Sequence, residues 1–86
     1  MTFEQFLKKN MKRISRLEME LDKLFDGTGL YTTIHVEQYM FRPCEKPTFG
    51  IKAYTETPQE WYSLDKFPNM TAMIAQIKND VKEARK

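Results

Sequence analysis

Two residues could carry reaction chemistry in this chain: its single histidine, His35, and its single cysteine, Cys44. A thiolate beside an imidazole base is the smallest nucleophilic unit. Arg42 and Lys46 flank Cys44 with the cations that favour a thiolate. Both candidates, however, lie on or beside one expected strand, and no third group is placed to orient them. A lone histidine nine residues before a lone cysteine matches no zinc spacing. The carboxylate pairs Glu18 with Asp22 and Glu56 with Glu60 have the spacing of ordinary surface charge. Gly27-Thr28-Gly29 is too short for a phosphate loop and follows a helix rather than a strand. The expectation is therefore a non-enzyme with no metal and no cofactor.

Binding chemistry is more plentiful. Lys8, Lys9, Lys12, Arg13 and Arg16 stand against Glu4 alone, so residues 1–16 carry a net +4. Residues 17–29 carry Glu18, Glu20, Asp22 and Asp26 against Lys23, a net −3. Such clusters are most often a solvated face. A basic cluster can also hold an anionic partner, nucleic acid or an acidic protein surface. Two antiparallel helices of this kind would set each basic half on an acidic half, which suggests a homodimer through the first helix. The second candidate set is aromatic: Tyr31, His35, Tyr39, Phe41, Tyr54 and Trp61.

The element that must position the basic cluster is a long amphipathic helix from Thr2 to Asp26. Thr2 and Gln5 form a T-x-x-Q capping box. Phe3, Leu7, Ile14, Leu17, Leu21 and Leu24 recur at helical spacing, with Asn10 as the polar interruption. Phe6, Met11 and Phe25 widen the stripe, and Gly27 can end the helix in a left-handed conformation. The charges oppose the helix dipole: cations crowd its N-terminal half and anions its C-terminal half. Nothing local compensates this.

The elements that must position the rings are strands. A β-branched and aromatic run from Leu30 to Arg42 reads as the first. Its even residues, including Ile34, Val36 and Met40, are the more aliphatic and are placed on the core. The odd residues Tyr31, Thr33, His35, Glu37, Tyr39 and Phe41 then face outward. The opposite parity, with the rings as core, is the alternative. Pro43 to Pro47 forms a rigid loop. Thr48 to Thr55 is the second strand, with Phe49, Ile51 and Ala53 on one face and Gly50, Lys52 and Tyr54 on the other. Trp61 to Leu64 is a short third strand whose register leaves Trp61 or Tyr62 to join the outward face. A last helix runs from Met70 to Ala84, capped by Asn69, with Met70, Met73, Ile74, Ile77 and Val81 as its stripe.

The order is α-β-β-β-α. The expected fold is an α+β two-layer sandwich: a three-stranded antiparallel sheet with both helices on one face. Its 86 residues suit a single domain, 1–86. Aromatic content of 13% and hydrophobic content of 41% suffice for a core. No apolar run spans a bilayer, and the N-terminus lacks a signal-peptide pattern, so a cytoplasmic protein is expected. A single cysteine agrees with that.

In size, layout and lack of catalytic chemistry, the chain resembles the small single-domain proteins of phages and other mobile elements, the anti-CRISPR proteins among them. That resemblance is one of format and covers no motif. It implies an accessory inhibitor that occludes the surface of a host nucleic-acid-processing or defence protein. The alternative from the residues themselves is a nucleic-acid-binding domain. It would use the basic half of the first helix, and the aromatic sheet face as a base-stacking platform.

Overall fold

A computed structural model describes residues 2–39 and 48–85. Two helices and a three-stranded sheet appear in the expected order. Helix α1 spans Phe3–Phe25. The Thr2 hydroxyl accepts from the Gln5 N–H at 3.1 Å, and the Gln5 side chain accepts from the Thr2 N–H at 2.8 Å. These two bonds satisfy backbone donors that every helix start leaves open. Gly27, at φ 72°, supplies the left-handed turn beyond the last helical residues.

Strands β1 (Thr32–Tyr39), β2 (Thr48–Thr55) and β3 (Glu60–Ser63) form an antiparallel meander in the order β1-β2-β3. The first strand begins two residues later than the Leu30 read from sequence. Leu30 and Tyr31 instead follow the turn, where the Thr28 hydroxyl accepts from the Leu30 N–H. Met40, Phe41 and Arg42 lie outside the described residues, as do Cys44 and the two prolines of the expected loop. The third strand starts at Glu60 and stops at Ser63, because Leu64 opens a 3-10 turn, Leu64–Lys66. Helix α2 spans Met70–Ala84, and the Asn69 side chain caps it through the Ala72 N–H at 2.8 Å.

The register decides the faces. Ile34 lies opposite Ala53, Val36 opposite Ile51, and Ala53 opposite Tyr62. These residues share one side of the sheet, and Ile51, Ala53 and Tyr62 are buried there. The same core holds Leu17, Leu21 and Phe25 of α1 and all five stripe residues of α2. Both helices therefore cover one face. Tyr62 is thus a core residue, and Trp61 turns outward.

Asn10, the polar interruption of the α1 stripe, is buried and self-sufficient. Its amide donates to the Phe6 carbonyl at 3.0 Å, and its carbonyl oxygen accepts from Arg13 at 3.3 Å. The stripe itself lies against the chain's own sheet and second helix, so its buried leucines offer no seam to a second α1.

The dipole-opposing charges of α1 find half of their explanation in α2. The helices run parallel: Arg16 donates to the Thr71 hydroxyl at 2.9 Å, Lys78 pairs with Glu20 at 2.6 Å, and Arg85 reaches the Leu24 carbonyl at 3.4 Å. Parallel packing lays the basic end of α2 along the acidic end of α1. Lys78 holds the Glu20 carboxyl below the usual range through its hydrogen bond and its charge. The Arg85 guanidinium sits 5.8 Å from the Phe25 ring, so α2 adds a second cation to Lys23 at the C-terminus of α1.

At ~1.5 Å per residue α1 is about 35 Å long. The molecule measures 48 × 24 × 23 Å with a radius of gyration of 14.2 Å. A compact chain of this length would have about 12 Å. The excess reflects the N-terminal half of α1, which runs past the start of α2. Phe6 stacks on Phe49 there, 5.0 Å between centroids, and Phe3 stands 6.0 Å from the same ring.

Candidate functional site

The outward face of the sheet is built by alternation. In β1 the odd residues Thr33, His35, Glu37 and Tyr39 point away from the helices, as do Gly50, Lys52 and Tyr54 of β2 and Trp61 and Ser63 of β3. Tyr54 sits directly across from Trp61, with ring centroids 5.0 Å apart. Trp61 also meets the His35 ring at 5.0 Å, and Tyr31 meets Tyr54 at 6.5 Å. Four rings from three segments thus form one tilted cluster, in the geometry that aromatic quadrupoles favour. Trp61 remains 51% exposed and Tyr31 58% exposed. Contiguous aromatic surface of this kind is what contact sites are made of.

Beside the cluster stands a polar aromatic unit. The Tyr39 hydroxyl donates to Glu37 Oε2 at 2.6 Å. Lys52 Nζ lies 3.3 Å from the same carboxylate and 5.3 Å from the Tyr39 ring centroid. The Tyr39 hydroxyl first, and Lys52 second, hold the Glu37 carboxyl below its usual range. Tyr39 first, and Glu37 second, hold the Lys52 ammonium above its own. The unit is charge-neutral. Between Tyr39 and Trp61 lies an open hollow of about 480 Å³, lined also by Gly50, Lys52, Ser63, Asp65 and Lys66.

Gly50 makes this arrangement fit. A Cβ there would stand 3.0 Å from the Tyr39 ring, which lies across the glycine. Gly50→Val is accordingly expected to displace that ring and release Glu37 and Lys52. The tyrosine ring resonances assigned to Tyr39 should shift, while the fold stays intact by circular dichroism. Unchanged Tyr39 resonances would contradict the close approach.

The structure separates the residues singled out in the sequence. Tyr31, His35, Tyr39, Tyr54 and Trp61 come together on the open face, whereas Phe41 lies outside the described residues. Lys8, Lys9, Lys12, Arg13 and Arg16 are exposed on α1, across the sheet from the rings. The two sets form two surfaces back to back, and no flat partner touches both. Arg13 and Arg16 are engaged with Asn10 and Thr71, and Lys8 approaches Glu4 at 3.9 Å. Lys52 is read from the sequence as standing beside the aromatic face, whereas Gly50, Ser63, Asp65 and Lys66 were not among the residues singled out. Lys52 is signalled by its alternation with Tyr54 and Gly50 by its place inside a strand. The 3-10 turn residues give no local signal.

The Thr33 hydroxyl and the His35 Nε2 are 3.1 Å apart. With Trp61 against its ring, His35 is a surface strand residue. No group of three or more potential metal-ligating side chains gathers among the described residues. Among those residues no helix is long and apolar enough to cross a membrane. Comparison of the chain with protein-family models, with curated proteins and with solved structures finds no match.

Proposed function

We propose that this protein is a non-enzymatic binding module that docks a protein partner on the open face of its sheet. The observation that carries this reading is the cluster of Tyr31, Tyr54, Trp61 and His35. Trp61 and Tyr31 stay half exposed while the chain buries a complete core on the other side. Tryptophan and tyrosine in such a setting supply large contact area at low entropic cost. The neutral Tyr39–Glu37–Lys52 unit beside them supplies orienting polar groups. Occlusion of a host nucleic-acid-processing or defence protein, as the format resemblance implies, is the role we assign to that contact, in the cytoplasm. The partner's complementary surface is apolar, with hydrogen-bonding groups at its rim.

The test is capture from the source cells with the immobilised protein, followed by affinity measurement on the captured partner. Trp61→Ala and Tyr54→Ala should each weaken binding by more than about tenfold, the range of interface anchors. Lys9→Glu with Lys12→Glu should leave it within a few-fold. A partner that tolerates both ring truncations would refute the reading.

A second reading, direct nucleic-acid binding by α1, is favoured by one observation: Lys9 and Lys12 are exposed and engaged by no acidic group among the described residues. It requires affinity that falls steeply with salt and is abolished by the same lysine reversals.

A further inference from the structure

Among the described residues nothing pairs with the outer edge of β1. The Glu56 N–H donates to the Tyr31 carbonyl at 3.0 Å, and this sets the alternation along the β1–β2 ladder. Odd residues of β1 turn their backbone groups toward β2. Those of Thr32, Ile34, Val36 and Gln38 therefore point away from the sheet. This row of donors and acceptors is a template for a further strand. No lysine or proline in β1 blunts it, and β1 carries only one carboxylate, Glu37.

Beside that edge lies an open hollow of about 350 Å³, lined by Glu18, Leu21 and Asp22 of α1 and by Thr32, Thr33 and Ile34 of β1. It has an acidic rim and an apolar floor. Its complement lies on the same helix. Helical spacing places Lys8, Met11 and Ser15 on the flank that carries Glu18 and Asp22, with Lys12 adjoining. Met11 is 58% exposed there. The opposite flank is already occupied by α2 through Arg16 and Glu20.

We propose that a second copy of this chain occupies the β1 edge. The two β1 strands would pair antiparallel about a two-fold axis at His35 and join the sheets into one of six strands. Ile34 then faces the partner's Val36 on the helix side, and Tyr31 faces the partner's Tyr39 on the open side. Thr33 faces the partner's Glu37, so no carboxylate faces another.

The same axis orders the helices. The hollow sets Glu18–Asp22 level with Thr32–Ile34. At ~1.5 Å per helical residue and ~3.3 Å per strand residue, Ser15 stands level with His35. The axis therefore brings Lys8 opposite the partner's Asp22 and Lys12 opposite the partner's Glu18. Because α1 rides over β1 and β2, it sits about one strand spacing from the axis, and the helices come ~10 Å apart, an ordinary packing distance. Two cations of the basic half of α1, Lys8 and Lys12, thus gain acidic partners in the pair. This pairing rests on the β1 edge and the α1 flank and not on the docking of a partner on the open face, where it brings Tyr31 beside the partner's Tyr39.

Light scattering at high protein concentration should give twice the chain mass of 10.3 kDa. Lys8→Glu with Lys12→Glu should return the mass to one chain, and adding Glu18→Lys with Asp22→Lys should restore the dimer. Independently of any folding cost of those changes, His35→Cys in a Cys44→Ser background should cross-link under mild oxidation. Directly opposed residues that exchange no backbone bonds have Cα atoms about 4.5 Å apart, within disulfide range. A monomer at every concentration, or a dimer that ignores the charge reversal and gives no cross-link, overturns the proposal.

Discussion

Replacing Leu17 by alanine is expected to lower the free energy of unfolding by about 3 kcal/mol, the middle of the range for a fully buried leucine. Leu17 is 0% exposed and sits where α1, α2 and the sheet meet. The substitution removes apolar contact on all three sides and leaves a cavity that neither helix can close. Parallel contacts from Arg16 to Thr71 and from Glu20 to Lys78 hold the helices at their spacing. For a domain of this size each kcal/mol moves the melting temperature by about 4–8 °C, so a fall of roughly 12–24 °C is expected. Lys23→Ala, on the exposed side of the same helix, should stay within about 0.5 kcal/mol. Calorimetry on the two variants checks the pair. Similar melting temperatures would place the core elsewhere.

Stability should also fall as pH rises above about 10, and Tyr62 should account for a separable part of the loss. Tyr62 is 4% exposed, and its hydroxyl donates to Asp80 Oδ2 at 2.8 Å. Gln76 donates to the other carboxylate oxygen at 2.7 Å. Burial first, and the Asp80 carboxylate second, push the phenol well above its ordinary 10.0. The sign follows from which state ionises first. Unfolded chains lose the phenolic proton near the ordinary value, while the folded chain keeps it. The stabilisation is therefore complete below the unfolded value and is lost as pH climbs toward the folded one. Where only the unfolded chain is ionised, the slope reaches ~1.4 kcal/mol per pH unit. Tyr62→Phe should cost about 1–2 kcal/mol at neutral pH, because Asp80 loses a donor. It should then lose less than the native protein on alkaline titration, so the two stability curves converge. Lys52, whose ammonium is held above its usual range, contributes equally to both curves and cancels. Urea midpoints measured from pH 7 to 11 decide the matter, and parallel curves would contradict it.

Much of the architecture was legible locally. Thr2 with Gln5, Asn69 before Met70, and glycine at position 27 are signals that act within one turn of backbone, and each stands where its chemistry requires. The inward parity of β1 was legible because Ile34 and Val36 alternate with His35 and Glu37. In β3 it was not legible, because Trp61 and Tyr62 are neighbours of similar apolarity. Only the pairing of Ala53 with Tyr62 sends one inward and the other out.

The candidate site was legible as a set of rings and a set of cations, and illegible as geometry. In the sequence, alternation places the rings on the face away from the helices, yet both sets read as the site of one partner, and the back-to-back geometry makes them two surfaces. The acidic end of α1 looked like a violation of dipole chemistry. Its compensation comes from Lys78 and Arg85, more than fifty residues away in sequence. Short-range rules of capping, periodicity and alternation determine the elements from residue types alone. The direction in which α2 returns along α1 is decided by burial of the shared core. With it comes the meeting of Lys78 and Arg85 with the acidic end of α1, which no local pattern of residue types encodes.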